Sequence, residues 1–232
     1  MAEYAFPQLI ILYGPPGCGK GTQANLLSEQ FGLEFLDWGH AFRQFAATYK
    51  DDSASIHSTM ANRVNHALTT GEAILTDDLL FIIGKRIVDL IHSGKNVIMD
   101  KPGALPPESQ WISSMLKQEN IDSAFIHLPL DIEDSVARIL HRYYVPSDQH
   151  PYPSYEDALK HCPPGVQPMM RKEDQDEATT RTRYVNLYGK HASEILEIYR
   201  SKNHIRMCEV DAKQSIDKVH QIILNLFETP QL

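Results

Sequence analysis

The 232-residue sequence holds only three cysteines, Cys18, Cys162 and Cys208, too few and too scattered for a disulfide framework. No Cys-x-x-Cys pair is present, and Cys162 beside His161 finds no second ligand pair, so zinc is not expected. Long hydrophobic runs are also missing. The longest, Leu9–Tyr13 and 79–83, fall far short of the ~20 residues that a membrane span requires. The opening Met-Ala-Glu-Tyr-Ala-Phe-Pro lacks the basic segment and apolar core of a signal peptide, so a reducing, cytoplasmic setting is expected, with no membrane partner. There is no excess of positive charge: Lys+Arg 22 minus Asp+Glu 30 leaves −8. That balance argues against a polybasic nucleic-acid surface. It still permits an anionic small substrate, because a few local arginines can act inside an acidic shell.

What is present is ordinary for a globular chain, with 42% hydrophobic and 22% charged residues. The length suits one domain with inserted subdomains better than two independent folds. The apolar run Leu9–Tyr13, ending at Gly14, reads as a strand buried on both faces, as in parallel sheets. Further strands are predicted at 34–36, 96–99, 124–128 and 205–210. Helices are predicted at 20–30, 77–92, 107–119, 132–143 and 215–227. Alternation of this kind implies an α/β fold with a five-stranded parallel sheet between helical layers. Two stretches interrupt it. Residues 38–76 hold no convincing strand and read as a helical insert. Residues 143–170 carry Pro146, Pro151, Pro153, Pro163, Pro164 and Pro168, which forbid a long helix. Beyond them, 171–200 is predicted as one long helix with Tyr188 and Ile195 among its apolar positions.

Between the first strand and first helix lies Gly14-Pro15-Pro16-Gly17-Cys18-Gly19-Lys20-Gly21-Thr22. The spacing Gly14-x4-Gly19-Lys20 is that of a P-loop, whose successive backbone N–H groups surround phosphate oxygens. Glycine admits the close approach and positive-φ turns, the helix N-terminus adds its dipole, and the lysine neutralises the distal phosphates. A glycine-rich turn without a ligand would explain neither the lysine nor the strand–loop–helix setting. The usual Ser or Thr after the lysine is replaced by Gly21, with Thr22 one position later.

Gly-x-Pro-Gly-x-Gly-Lys-Gly-Thr-Gln, spelled by Gly14 through Gln23, resembles the adenylate kinase family of nucleoside monophosphate kinases. The resemblance implies ATP on the P-loop through Gly14, Gly17, Cys18, Gly19, Lys20, Gly21 and Thr22. It makes 38–76 the monophosphate-binding insert and 143–170 a mobile lid on a single P-loop kinase domain. The motif opening the monophosphate subdomain, Thr-Gly-Asp-x-x-Arg, is matched by Trp38-Gly39-His40-Ala41-Phe42-Arg43. Arg43 then resembles the arginine that grips the monophosphate, with Trp38 and Gly39 beside it. Ala73, Ile74 and Leu75 resemble the turn that contacts the monophosphate base. Asp100, ending the strand at 96–99, resembles the carboxylate that orders Mg²⁺ through its water shell.

The pattern departs after Asp100. Where the family reads Asp-Gly-Phe/Tyr-Pro-Arg followed by a glutamine, this chain reads Asp100-Lys101-Pro102-Gly103-Ala104, with Glu108 at the glutamine offset. Lys101 is the candidate replacement for the absent arginine, as a point charge rather than a bidentate fork. In the lid, Arg138 and Arg142 share a helix face and resemble the pair that meets the ATP adenine and its phosphates, with Tyr152 contacting the nucleoside. Arg171 resembles the lid-exit arginine that reaches the transferring group. The next family arginine falls at Thr182, so Arg181 or Arg183 must supply it, with Arg183 preferred.

The resemblance thus implies reversible transfer of the ATP γ-phosphoryl group to AMP with Mg²⁺, by a monomer, with Lys20, Arg43, Arg142, Arg171 and Arg183 as catalytic cations. Two other readings stay open: a P-loop kinase for another nucleoside monophosphate or small anionic metabolite, and a catalytically weak ATP-binding regulatory module.

Overall fold

A computed structural model of the chain describes residues 4–53, 55–70, 74, 76–103, 105–146, 151–171 and 174–229. In chain order the elements begin β1 (Leu9–Tyr13), α1 (Lys20–Phe31), β2 (Glu34–Leu36), α2 (Trp38–Tyr49), α3 (Ser58–Thr70), α4 (Thr76–His92) and β3 (Val97–Met99). They continue with α5 (Pro106–Gln118), β4 (Ser123–His127), α6 (Ile132–Leu140), β5 (Tyr143–Tyr144), β6 (Pro151–Tyr152) and α7 (Tyr155–Leu159). Last come α8 (Glu177–Tyr184), a π turn (Val185–Gly189), α9 (Ala192–Arg200), β7 (Ile205–Glu209) and α10 (Ile216–Asn225).

The main sheet has the order β2-β3-β1-β4-β7, and every pair in it is parallel. The central strand β1 is buried on both faces, which is why it reads as a continuous apolar run. Leu9, Ile11 and Tyr13 point into a core shared with α4, α5 and α9, through Ile83, Ile112 and Tyr199 among others. Ile10 and Leu12 point the other way, against Ala24 and Leu27 of α1 and Val219 and Ile223 of α10. The result is the predicted three-layer α/β/α fold with five parallel strands. The chain leaves β1 toward β2 and β3 on one side and reaches β4 and β7 on the other. The crevice at that reversal, beyond the carboxyl ends of the strands, is where open α/β sheets bind ligands.

Between β2 and β3 lie α2, α3 and α4, with turns at 50–53 and 55–57 separating the first two. α2 is capped by Asp37, whose Oδ1 accepts from the backbone N–H of His40. Arg63 of α3 forks Asp78 of α4, Nε to Oδ2 at 2.9 Å and a terminal nitrogen to Oδ1 at 2.6 Å. The proline-rich stretch folds around β5 and β6, paired antiparallel, and Tyr144 also exchanges backbone hydrogen bonds with Met169. That pairing stops α6 at Leu140, short of the expected residue 143.

The long helix expected over 171–200 is not formed. Arg171 precedes the helical turns, and α8 starts only at Glu177, where Asp176 accepts from Thr179 N at 2.6 Å as the N-cap. The π turn follows, and a break at Lys190 and His191 separates it from α9. Among the described residues no helix is long and apolar enough to cross a membrane.

Candidate active site

β1 ends at Tyr13 and delivers the chain into a loop that only glycine can build. A Cβ on Gly14 would sit 2.3 Å from the Leu128 carbonyl oxygen and 2.7 Å from Cys18 Sγ, closer than atoms can approach. Gly17 and Gly19 hold φ of 80° and 96°, in the left-handed region that glycine occupies without steric cost. α1 starts immediately afterwards at Lys20, so its unpaired N-terminal N–H groups open onto the loop. Lys20 Nζ donates to the carbonyls of Gly14 and Pro15, each at 2.8 Å, and lies 3.5 Å from Cys18 Sγ. Ser135 of α6 fixes the loop from outside, its hydroxyl donating to Pro16 O at 2.6 Å.

Over this loop opens a cleft of about 1950 Å³. Gly17, Gly19, Lys20, Gly21 and Thr22 form its floor. Arg138 and Arg142 of α6 and its C-terminal turn, Tyr152 of β6, Arg171, Arg183 of α8, Gly39, Arg43 and Asp100 also line it. The sequence-predicted cations Lys20, Arg43, Arg138, Arg142, Arg171 and Arg183 are therefore gathered around one space.

The arginines are held rather than loose. Asp174 is completely buried, and its carboxylate accepts from Arg142 at 2.7 and 2.9 Å and from Arg183 at 2.7 Å. Burial pushes the Asp174 carboxyl up, but the two guanidinium groups outweigh it, and its pKa lies below the usual carboxylate value. Arg171 lies over the face of Tyr144 at 3.9 Å and Arg142 over the same ring at 5.4 Å, both cation–π contacts. Arg181 points elsewhere: it bonds Glu133 and Glu177 at the surface, whereas Arg183 faces the cleft. Arg43 is more open, 3.7 Å from Asp37 with most of its side chain in solvent.

Several expected contacts face away from the cleft. Gly14 and Cys18 lie beneath the loop rather than on its surface. Trp38 is 2% exposed and packs into the core, with its indole N–H lacking a hydrogen-bond partner in the described structure. Lys101 stands with Nζ 5.0 Å above the Trp38 ring. Glu108, read as a base contact, is buried at the start of α5, where its Oε2 accepts from Leu105 N at 3.2 Å. The helix it caps opens with Pro106 and Pro107, and prolines are at home in a first helical turn. Ile74 packs against the core, while Ala73, Leu75 and Ala104 lie outside the described residues. Sequence reasoning missed Ser135, Asp174, Tyr144 and Lys213. The last lines the cleft and bonds Asp131 and Asp134 at 2.6 and 2.9 Å.

Asp100 directly follows β3 and lines the cleft, with Oδ1 buried and without a hydrogen-bond partner. A buried carboxylate oxygen left unpaired is costly unless water or a cation-bound water meets it. Among the described residues no three His, Cys, Asp or Glu side chains converge as a metal cage. That donor set fits a hard divalent cation that keeps its waters and rests on substrate phosphates, as Mg²⁺ does.

The chain is similar in sequence to known proteins. The sequence model of the AAA domain family matches residues 13–150, more than half of the chain. An adenylate kinase of Chloroherpeton thalassium is 29% identical over 219 residues, covering 92% of this chain and 95% of the relative. One of Novosphingobium aromaticivorans is 27% identical over 218 residues, 90% of this chain and 94% of the relative. One of Zymomonas mobilis is 29% identical over 201 residues, 83% and 84%.

Proposed function

The chain belongs to the AAA domain family, and we propose that it is a nucleoside monophosphate kinase that reversibly transfers the γ-phosphoryl group of ATP to AMP. The observation that carries this reading is the convergence of Lys20, Arg43, Arg142, Arg171 and Arg183 on one cleft above a glycine loop. The resemblance to adenylate kinases over most of the chain supports it.

The loop N–H groups and Lys20 bind the donor phosphates, with Arg138 and Tyr152 on the nucleoside side. Arg43 takes the acceptor phosphate from the helical insert, 38–76. Arg142, Arg171 and Arg183 spread positive charge around the in-line transfer. No general base is needed, because the acceptor phosphate is already anionic, so catalysis is positioning plus charge stabilisation. Mg²⁺, when bound, would neutralise charge on the donor phosphates, and Asp100 would hold its waters. Closure of 143–170 over the donor excludes water and limits hydrolysis. The chain works in this reading as a cytoplasmic monomer on small-molecule substrates, without a nucleic-acid or membrane partner.

The acceptor is the part open to a second reading. Glu108, expected at the acceptor base, is buried in a helix cap, and Lys101, expected to replace the absent phosphate-binding arginine, stands over Trp38; neither lines the cleft. A different monophosphate would then be preferred. Coupled turnover with ATP–Mg²⁺ against AMP, CMP, UMP, GMP and dAMP decides the matter. AMP is expected to give the highest kcat/KM, abolished in Lys20→Ala. Preference for another acceptor would replace AMP, and ATP binding without turnover on any of them would leave a regulatory module.

A further inference from the structure

A second polar group is built from residues that do not line the cleft. His127, the last residue of β4, is 4% exposed and is hydrogen-bonded on both ring nitrogens. Nδ1 lies 2.9 Å from Glu209 Oε2 at the end of β7, and Nε2 lies 2.8 Å from the Tyr188 hydroxyl. A carboxylate can only accept, so Nδ1 carries a proton and donates to Glu209. Burial pushes the His127 pKa down, which keeps the ring neutral, so Nε2 accepts from the Tyr188 hydroxyl. Tyr13 stacks on His127 at 6.0 Å and lies tilted against Tyr188 at 5.5 Å, and Arg200 of α9 is the other charge that the imidazole feels.

Tyr188 sits in the π turn, whose wide ring is closed by Lys190 N donating to Val185 O at 2.9 Å. Such turns are rare and occur frequently at functional sites. Three aspects of this one distinguish it from a passive irregularity. It directly continues α8, which carries Arg183 to Asp174. A neighbouring tyrosine, Tyr184, ties the same segment to Leu130 O at 2.9 Å. The strand ends that it grips are those that build the P-loop, since Tyr13 precedes Gly14 and Leu128, whose carbonyl packs on Gly14, follows His127.

We propose that the Glu209–His127–Tyr188 chain is a positioning device that clamps the π turn to the sheet and thereby sets Arg183 relative to the P-loop. His127 and Tyr188 touch no substrate in this arrangement; they act through α8. The inference rests on the proposed phosphoryl transfer for its kinetic consequence, but its structural content is independent of the acceptor.

The test uses the full chain with Tyr188→Phe, which keeps the ring and deletes the hydroxyl, and His127→Gln, whose amide donates to Glu209 while its carbonyl accepts from Tyr188. Tyr188→Phe is expected to lower kcat by roughly ten- to a hundredfold, the scale of a small misplacement of a catalytic group. Its dissociation constant for ATP stays within about twofold, because the loop and Lys20 are unaltered. Amide hydrogen exchange over 177–189 speeds up in the same variant, whereas His127→Gln stays near wild type in both measurements. Unchanged kcat and exchange in Tyr188→Phe would overturn the proposal. So would a loss of kcat accompanied by equal loss of ATP binding and a general rise in exchange, which marks simple destabilisation. If wild type turns over no monophosphate, the kinase reading has failed, and exchange alone decides. Faster exchange confined to 177–189 then upholds the clamp, and unchanged exchange refutes it.

Discussion

Asp174 holds Arg142 by a two-pronged hydrogen bond, Nε to Oδ2 at 2.7 Å and a terminal nitrogen to Oδ1 at 2.9 Å, with no exposed surface of its own. Arg183 donates to the same Oδ1 at 2.7 Å. A single buried anion thus aligns two cleft cations that belong to different elements, one following α6 and one in α8. Without it the two guanidinium groups would repel one another across the space in which a phosphate must sit.

Removing that charge should therefore damage both stability and turnover. Asp174→Asn leaves two partly buried guanidinium groups without their shared anion, and breaking a buried pair typically costs about 3–5 kcal/mol. Denaturant unfolding at pH 7 should show a loss on that scale, and kcat should fall with it. The pH dependence has a definite sign. The folded pKa of Asp174 lies below the unfolded value, so its contribution is full above about pH 4 and is lost as pH falls through the folded pKa. The stability gap between wild type and Asp174→Asn should narrow on acidification below about pH 4; a gap constant down to pH 2 would refute the assignment.

The glycines of the loop separate into two kinds. Gly14→Ala forces a Cβ to within 2.3 Å of Leu128 O and must displace the loop, whereas Gly21 has open space around its Cβ position. Gly14→Ala should lower the thermal midpoint and weaken ATP binding together. Gly21→Ala should leave the thermal midpoint within about 2 °C, since a surface change away from any contact is usually within ±0.5 kcal/mol. Calorimetry on the two variants checks this directly.

Arg43 and Asp37 form an open ion pair, with side chains 65% and 49% exposed. Such pairs contribute about 0–1 kcal/mol, so Arg43→Ala should unfold like wild type. Its acceptor KM should nevertheless rise by about tenfold or more, the equivalent of one charge-assisted hydrogen bond. A stability loss without a kinetic effect would move Arg43 out of the site.

The parts of this molecule legible in the sequence are those specified locally. β1 and the loop after it declare themselves because a doubly buried strand is a continuous apolar run, and because Gly14, Gly17 and Gly19 satisfy backbone demands that no other residue meets. The fork at Asp174 was not legible, since Arg142 lies 32 residues away and only folding brings them together. Tyr188 read as one apolar position in a long helix; neither the π turn nor its bond to His127 has a sequence signature. Glu108 is held at the start of α5 for a local reason. Its offset matched a base contact, yet the two prolines before it mark a helix start, and the local demand for a cap prevailed.

Direct observation of the transferred group tests the central claim. Phosphorus NMR of ATP, AMP and Mg²⁺ with the full chain should show ATP and AMP disappearing together and ADP forming at two per ATP consumed, with no inorganic phosphate. The Lys20→Ala variant should slow this by about a hundredfold or more, the cost typical of deleting one stabilising group at the transferring charge. Inorganic phosphate in place of the second ADP, or ATP unchanged beside AMP, would contradict the account.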